Sequence, residues 1–160
     1  HGLIRQKWAA LGWEKSPLGY PITDELNGGS GKGRFNNFQN GTIIWKSDTP
    51  EAFAVYGLIY AKWGEQKWDV GELGFPVTDE TETPDRIGRY NHFENNASIY
   101  WTPNTGAHIV KGYIRSAWAE QGWERGRLGY PVTDELVTEG TNGRGRYSRF
   151  EGGEIRWTPE

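Results

Sequence analysis

The sequence predicts an α+β repeat protein in which three helix-plus-β-hairpin units pack with pseudo-threefold symmetry, an open solenoid-like array being the alternative. Three observations carry this. Trp8, Trp63 and Trp118 lie 55 residues apart, as do Trp13, Trp68 and Trp123, and again Pro21, Pro76 and Pro131. Each copy repeats one order of phrases: an apolar stretch with helical spacing, a Leu-Gly-aromatic-Pro corner, Thr-Asp-Glu, a Gly-Arg-aromatic step and an Ile-x-Trp ending. A unit of that length buries too little surface to be secure alone, so the copies must share a core. The units run 1–55, 56–110 and 111–160, and together they make one domain of the 160-residue chain.

The first element is a short helix. Val110, Ile114 and Trp118 fall at i, i+4 and i+8, matched by Val55, Ile59 and Trp63 and by Ile4 and Trp8, which is one face of a helix. Gly12 and Gly122 stand where a left-handed residue ends such a helix, with Lys67 in that place in unit two. The corner follows, with an apolar Leu, a permissive Gly and a φ-fixed Pro in four residues: LGYP, LGFP and LGYP. The next Thr and Asp are suited to hold it by bonding local amides. Two β-prone runs around a turn complete the unit: RFNNF and TIIW, RYNHF and SIYW, RYSRF and EIRW. In the second run Ile43, Ile99 and Ile155 share a face with Trp45, Trp101 and Trp157; Ile44, Tyr100 and Arg156 between them differ in kind, which predicts exposure. Residues 46–55 and 102–110 connect the units, and their near absence after Trp157 is what a slice of a longer array, or its last three units, would show.

Composition narrows the function. Nine Trp, eight Tyr and six Phe must supply most of the core, and with no Cys there is neither thiol chemistry nor a disulfide. A net charge of −3 with mixed signs offers no basic stripe for nucleic acid. No apolar run approaches the roughly 20 residues of a membrane span, and any export signal lies outside this sequence. His1, His92 and His108 occupy unrelated repeat positions, so no catalytic or zinc cluster recurs, and neither metal nor cofactor is expected. Adjacent acidic pairs such as Asp79-Glu80 imitate the two carboxylates of a glycosidase, yet neighbouring residues point different ways and three active sites in 160 residues would be unusual. The sequons at Asn40 and Asn96 mark hairpin turns.

The candidate ligand contacts repeat. Trp13, Trp68 and Trp123 each follow the helix end beside an acidic residue, and two readings stand: packing against the corner, or an exposed platform for stacking. Tyr20, Phe75 and Tyr130 are the corner rings beside them. Asp24, Asp79 and Asp134 either fix the turn, with the following Glu paired to Arg34, Arg89 or Arg146, or accept hydrogen bonds from a ligand's hydroxyls. The helix-centre tryptophans and those ending each unit are read mainly as scaffold.

The phrases WAALGWEKSPLGYPITDE, TPNTGAHIVKGYIRSAWAEQGWERGRLGYPVTDE and GRYSRFEGGEIRW resemble the LGFP repeat, named for the residues seen here as Leu73-Gly74-Phe75-Pro76, and the likeness spans the chain. Tyr20 and Tyr130 depart from it by a hydroxyl, and connector 46–55 lacks the Gly-Ala-His of 106–108. The resemblance implies a secreted, cell-wall setting, as in actinobacteria, where such repeats accompany wall enzymes and anchor them to glycan such as arabinogalactan. The expected function is non-catalytic, multivalent binding of wall polysaccharide through weak sites; a structural or protein-docking module without sugar affinity is the alternative.

Overall fold

Each unit turns one amphipathic helix against one face of an antiparallel sheet. The computed structural model describes residues 2–159. Helices α1 (Gly2–Leu11), α2 (Gly57–Glu65) and α3 (Gly112–Glu120) bury Ile4, Ile59 with Trp63, and Ile114 with Trp118. The indole N–H groups of Trp63 and Trp118 donate to the carbonyls of Gly74 and Gly129, both at 3.1 Å, so each ring is packed and its polar edge satisfied. Just past each helix the backbone turns left-handed: Gly12 and Gly122 have φ of 113° and 102°, and Lys67 adopts 69° in the same place. The departure from Gly in unit two therefore leaves the stop unchanged.

Unit one carries strands β1 (Leu26–Asn27), β2 (Gly33–Phe38), β3 (Gly41–Lys46) and β4 (Ala52–Tyr56), paired in that order. Unit two repeats them as β5 (Thr81–Glu82), β6 (Arg89–Phe93), β7 (Ala97–Thr102) and β8 (Gly106–Lys111). Unit three has β9 (Leu136–Val137), β10 (Arg146–Phe150) and β11 (Gly153–Trp157). The expected hairpins are β2–β3, β6–β7 and β10–β11, and the corner is tied to each by a bridge from Pro21 to Phe38, Pro76 to Phe93 and Pro131 to Phe150.

The connectors correct the sequence reading. Residues 52–56 and 106–111 are fourth strands that run directly into α2 and α3. Val55 and Val110 are fully buried as expected, but they belong to β4 and β8 and not to the helices. A strand that passes without a linker into a helix aligns apolar side chains across the joint, and the spacing then imitates one continuous helical face.

The units stack in series. One core lies between α1 and the first sheet and includes Ile4, Ile43 and Ala54. The other two cross unit boundaries: Ile44 and Val55 pack with Ile59, Trp63 and Ile99, and Tyr100 and Val110 pack with Ile114, Trp118 and Phe150. Helices α2 and α3 thus each serve two sheets, one on either side. The expected exposure of the variable strand position fails here: Ile44 and Tyr100 are buried under the next unit, while Arg156 is exposed. The side chain varies because each partner surface differs, which a single-unit view misses.

Among the expected arrangements, the serial one accounts for these contacts. Phe75 lies against Gly33 and Tyr130 against Gly88, where an added Cβ would come within 2.9 Å of either ring. At the outer ends the two halves of this contact stay apart: Tyr20 is 59% exposed, and a Cβ on Gly145 would meet only Thr138 and Thr141 of its own loop.

Candidate ligand clefts at the unit junctions

Trp13, Trp68 and Trp123 follow the left-handed helix stop and themselves have φ of 56°, 51° and 59°. A left-handed conformation costs an L-residue about 1–2 kcal/mol, and a bulky ring held there in every copy marks a position fixed by surrounding structure. Each Trp opens a 3-10 turn, at Trp13–Lys15, Trp68–Val70 and Trp123–Arg125. At Trp68 and Trp123 that turn swings the indole out over the hairpin of the preceding unit.

At the first junction Trp68 is 44% exposed and walls a cleft of about 410 Å³, within the range of roughly 300–1,000 Å³ usual for small-ligand sites. Unit one supplies Phe35, Asn37, Thr42 and Ile44 from β2 and β3, with Asn27 from the end of β1 and Gly29 from the loop after it. Unit two supplies Tyr60 and Trp63 from α2, then Trp68, Asp69 and Val70. The loop is tied to the turn, because the Ser30 N–H donates to Asp69 Oδ2 at 3.2 Å. The Tyr60 hydroxyl points at Asn37 Oδ1, 3.5 Å away, and burial raises the phenol above its ordinary pKa so that it stays protonated. Ring faces and neutral donors and acceptors therefore line the cleft, and Asp69 is its one charged residue among those described.

The second junction uses the same positions differently. Tyr90 and Tyr100 stack at 5.0 Å with planes 13° apart, and Trp123 lies 5.1 Å from the His92 ring. Arg115, in the place of Tyr60, lies over Trp123 at 5.0 Å; its Nε donates to Ser98 Oγ at 2.8 Å and its Nη1 to Asn96 Oδ1 at 2.7 Å. Burial, reinforced by the Arg115 charge, pulls His92 down to about 4, leaving it neutral near pH 7. What remains is a depression above Tyr90, Tyr100 and Trp123, rimmed by Glu124 and Arg125. Trp13 sits edge-on to Trp8 at 5.0 Å with Arg5 over its ring at 5.4 Å.

The other sequence candidates do not join these tryptophans in one site. Phe75 and Tyr130 are only 3% and 4% exposed, because each ring plugs the preceding unit. The extra hydroxyl of Tyr130 donates to Asp85, 2.7 Å from Oδ1, beside Thr83 Oγ1 at 2.8 Å. Asp79 accepts the Ala54 N–H at 3.0 Å and the Lys7 ammonium at 2.7 Å, both from unit one. Asp134 likewise accepts the Ile109 N–H at 2.9 Å and Lys62 at 3.0 Å, with His108 Nδ1 3.3 Å away. Together these hold its carboxyl far below the usual carboxylate range despite burial. These two carboxylates are clamps between units, while the local corner is held by Thr23, Thr78 and Thr133, which accept the N–H groups of Asn37, His92 and Arg149. Asp24, at the outer end, is exposed as Tyr20 is. Among the described residues no acidic or histidine group forms a metal cluster.

Sequence reasoning missed the cleft's other wall. Phe35, Asn37 and Tyr60 line it together with Trp68, and the signal was the Gly of the Gly-Arg-aromatic step: at Gly33 and Gly88 a Cβ would meet the paired strand's carbonyl and the ring of the next unit. The LGFP repeat profile matches residues 18–71, 73–126 and 128–160. The chain belongs to the LGFP repeat family. No curated protein matches it. The LGFP matches begin at the corner and not at the helix, and the whole lining of the first cleft lies within 18–71 and that of the second depression within 73–126. The LGFP sequence unit is thus one sheet plus the helix and tryptophan of the next lobe, which is one junction.

Proposed function

We propose that this chain is a non-catalytic module that binds cell-wall polysaccharide, such as arabinogalactan, and anchors whatever is attached to it. The supporting observation is the first junction cleft, where the strained, half-exposed Trp68 faces Phe35 and Tyr60 across amide and hydroxyl groups. An indole face covers the apolar face of a sugar ring, and a few convergent amides and hydroxyls take its hydroxyl groups. Asp79, Asp134 and Glu80 support the non-catalytic part of the reading, since each is committed to a clamp between units. Sites lie at junctions in this scheme, and weak binding is strengthened wherever more than one open junction engages the same polymer.

Retention of the folded chain on purified wall polysaccharide, compared with wall stripped of polysaccharide, tests the reading. Trp68→Ala is expected to lower retention at least tenfold while circular dichroism stays unchanged. Equal retention by parent and variant would remove the cleft from the binding account, and retention on stripped wall alone would make the module a protein-docking one.

A further inference from the structure

We infer that the two junctions are not equivalent sites: a short neutral saccharide enters the first, and the side chains of the chain itself occupy the same space in the second. This rests on the polysaccharide-binding reading and adds which junction works and which residues decide it.

What separates the junctions is which side chains stand at matched positions and their charge, not volume, since the depression at junction two measures about 540 Å³ against about 410 Å³ for the cleft at junction one. At junction one, Ile44 and Tyr60 leave room down to Trp63 and Thr42. At junction two, Tyr100 replaces Ile44, Arg115 replaces Tyr60 and His92 replaces Asn37. Tyr100 stacks on Tyr90, its ring 4.8 Å from Trp118, and Arg115 spans from Ser98 to Trp123, so Trp118, Ser98 and Arg115 drop out of the lining. The second indole already carries a guanidinium on it, 5.0 Å away, and His92 5.1 Å away. A sugar seeking the same stacking would have to displace Arg115 from its hydrogen bonds to Ser98 and Asn96. The preference for a neutral saccharide follows from the first lining: among the described residues no Lys or Arg faces the cleft, and the Asp69 carboxylate disfavours an anion.

Two measurements decide it. In the first, N-bromosuccinimide oxidation of the ligand-free chain is followed by peptide mass mapping. Trp68 is expected to react several-fold faster than Trp123, and equal or reversed rates overturn the inference whether or not any sugar binds. In the second, short neutral oligosaccharides released from wall polysaccharide are titrated calorimetrically. One site per chain is expected, with oxidation protection at Trp68 and loss of binding in Tyr60→Arg. Two equivalent sites, protection at Trp123, or undiminished binding by Tyr60→Arg would overturn it. A chain whose Trp68 reacts fast but which binds neither polymer nor oligosaccharide would sink the glycan reading, and the saccharide part of this inference with it, while leaving the difference between junctions intact.

Discussion

At the scale of single residues, repetition in sequence hides divergence of role. Asp79 and Asp134 sit in the Thr-Asp-Glu phrase, where the sequence left open a local turn or a ligand contact, yet both reach into the neighbouring unit. Asp79→Ala is expected to cost about 1–3 kcal/mol in urea unfolding, because it leaves the buried Ala54 N–H without its acceptor. Retention on polysaccharide should persist wherever the variant is folded, and its loss at unchanged stability would return Asp79 to the ligand. His92 gives a pH signature. Its folded pKa near 4 lies below the ordinary value of 6.5, so the unfolded chain binds more protons between them. The stability it contributes is complete above about 6.5 and is lost as pH falls through 4. The melting temperature of the parent should therefore fall relative to His92→Asn between pH 7 and 4; a constant difference would refute the assignment. The identity of these residues was legible in the sequence, but their partners were not, since a periodic alignment says nothing of which copy a side chain touches.

At the scale of elements, the helix, corner and hairpin were legible because each rests on local chemistry: apolar spacing, a Gly-Pro pair, alternation around a turn. The fourth strands were not, since KSDTPEAFAV has turn residues at its start and its apolar end merges with the helical spacing. The helix stop is local too, and it carries measurable strain in unit two. Lys67 holds φ at 69° where the other copies have Gly. Lys67→Gly is expected to raise stability by up to about 1 kcal/mol through relief of the left-handed penalty, offset in part by greater freedom of the unfolded chain. Thermal unfolding checks this, and a lower melting temperature would show that the Lys side chain contributes more than its backbone costs.

At the scale of the whole molecule, stability is distributed over junctions as much as over units. The contact of Tyr130 on Gly88 is the point where the second junction can be loosened. In Gly88→Ala the added Cβ lies 2.6 Å from the Trp101 carbonyl and 2.9 Å from the Tyr130 ring. Such overpacking typically costs about 1–3 kcal/mol. Hydrogen exchange should then quicken first in 112–159, with protection of 33–56 kept; uniform loss would show that the chain unfolds as one cooperative body. The repeat itself was plain in the sequence, whereas the choice between a closed and a serial arrangement depended on Gly33, Gly88 and Gly145, whose role appears only when another unit is set against them.

The direct run of β4 into α2 has a mechanical meaning. Tyr56 ends the strand and Gly57 begins the helix, so no slack segment separates one lobe from the next. A pull along the lobes reaches the junction before any loose chain is drawn out. The lobes act as rigid links in series, unlike beads on a string. A saccharide bound as proposed, between Phe35 and Trp68, would bridge two successive links, and the attachment it made would be loaded by the same tension that it resists.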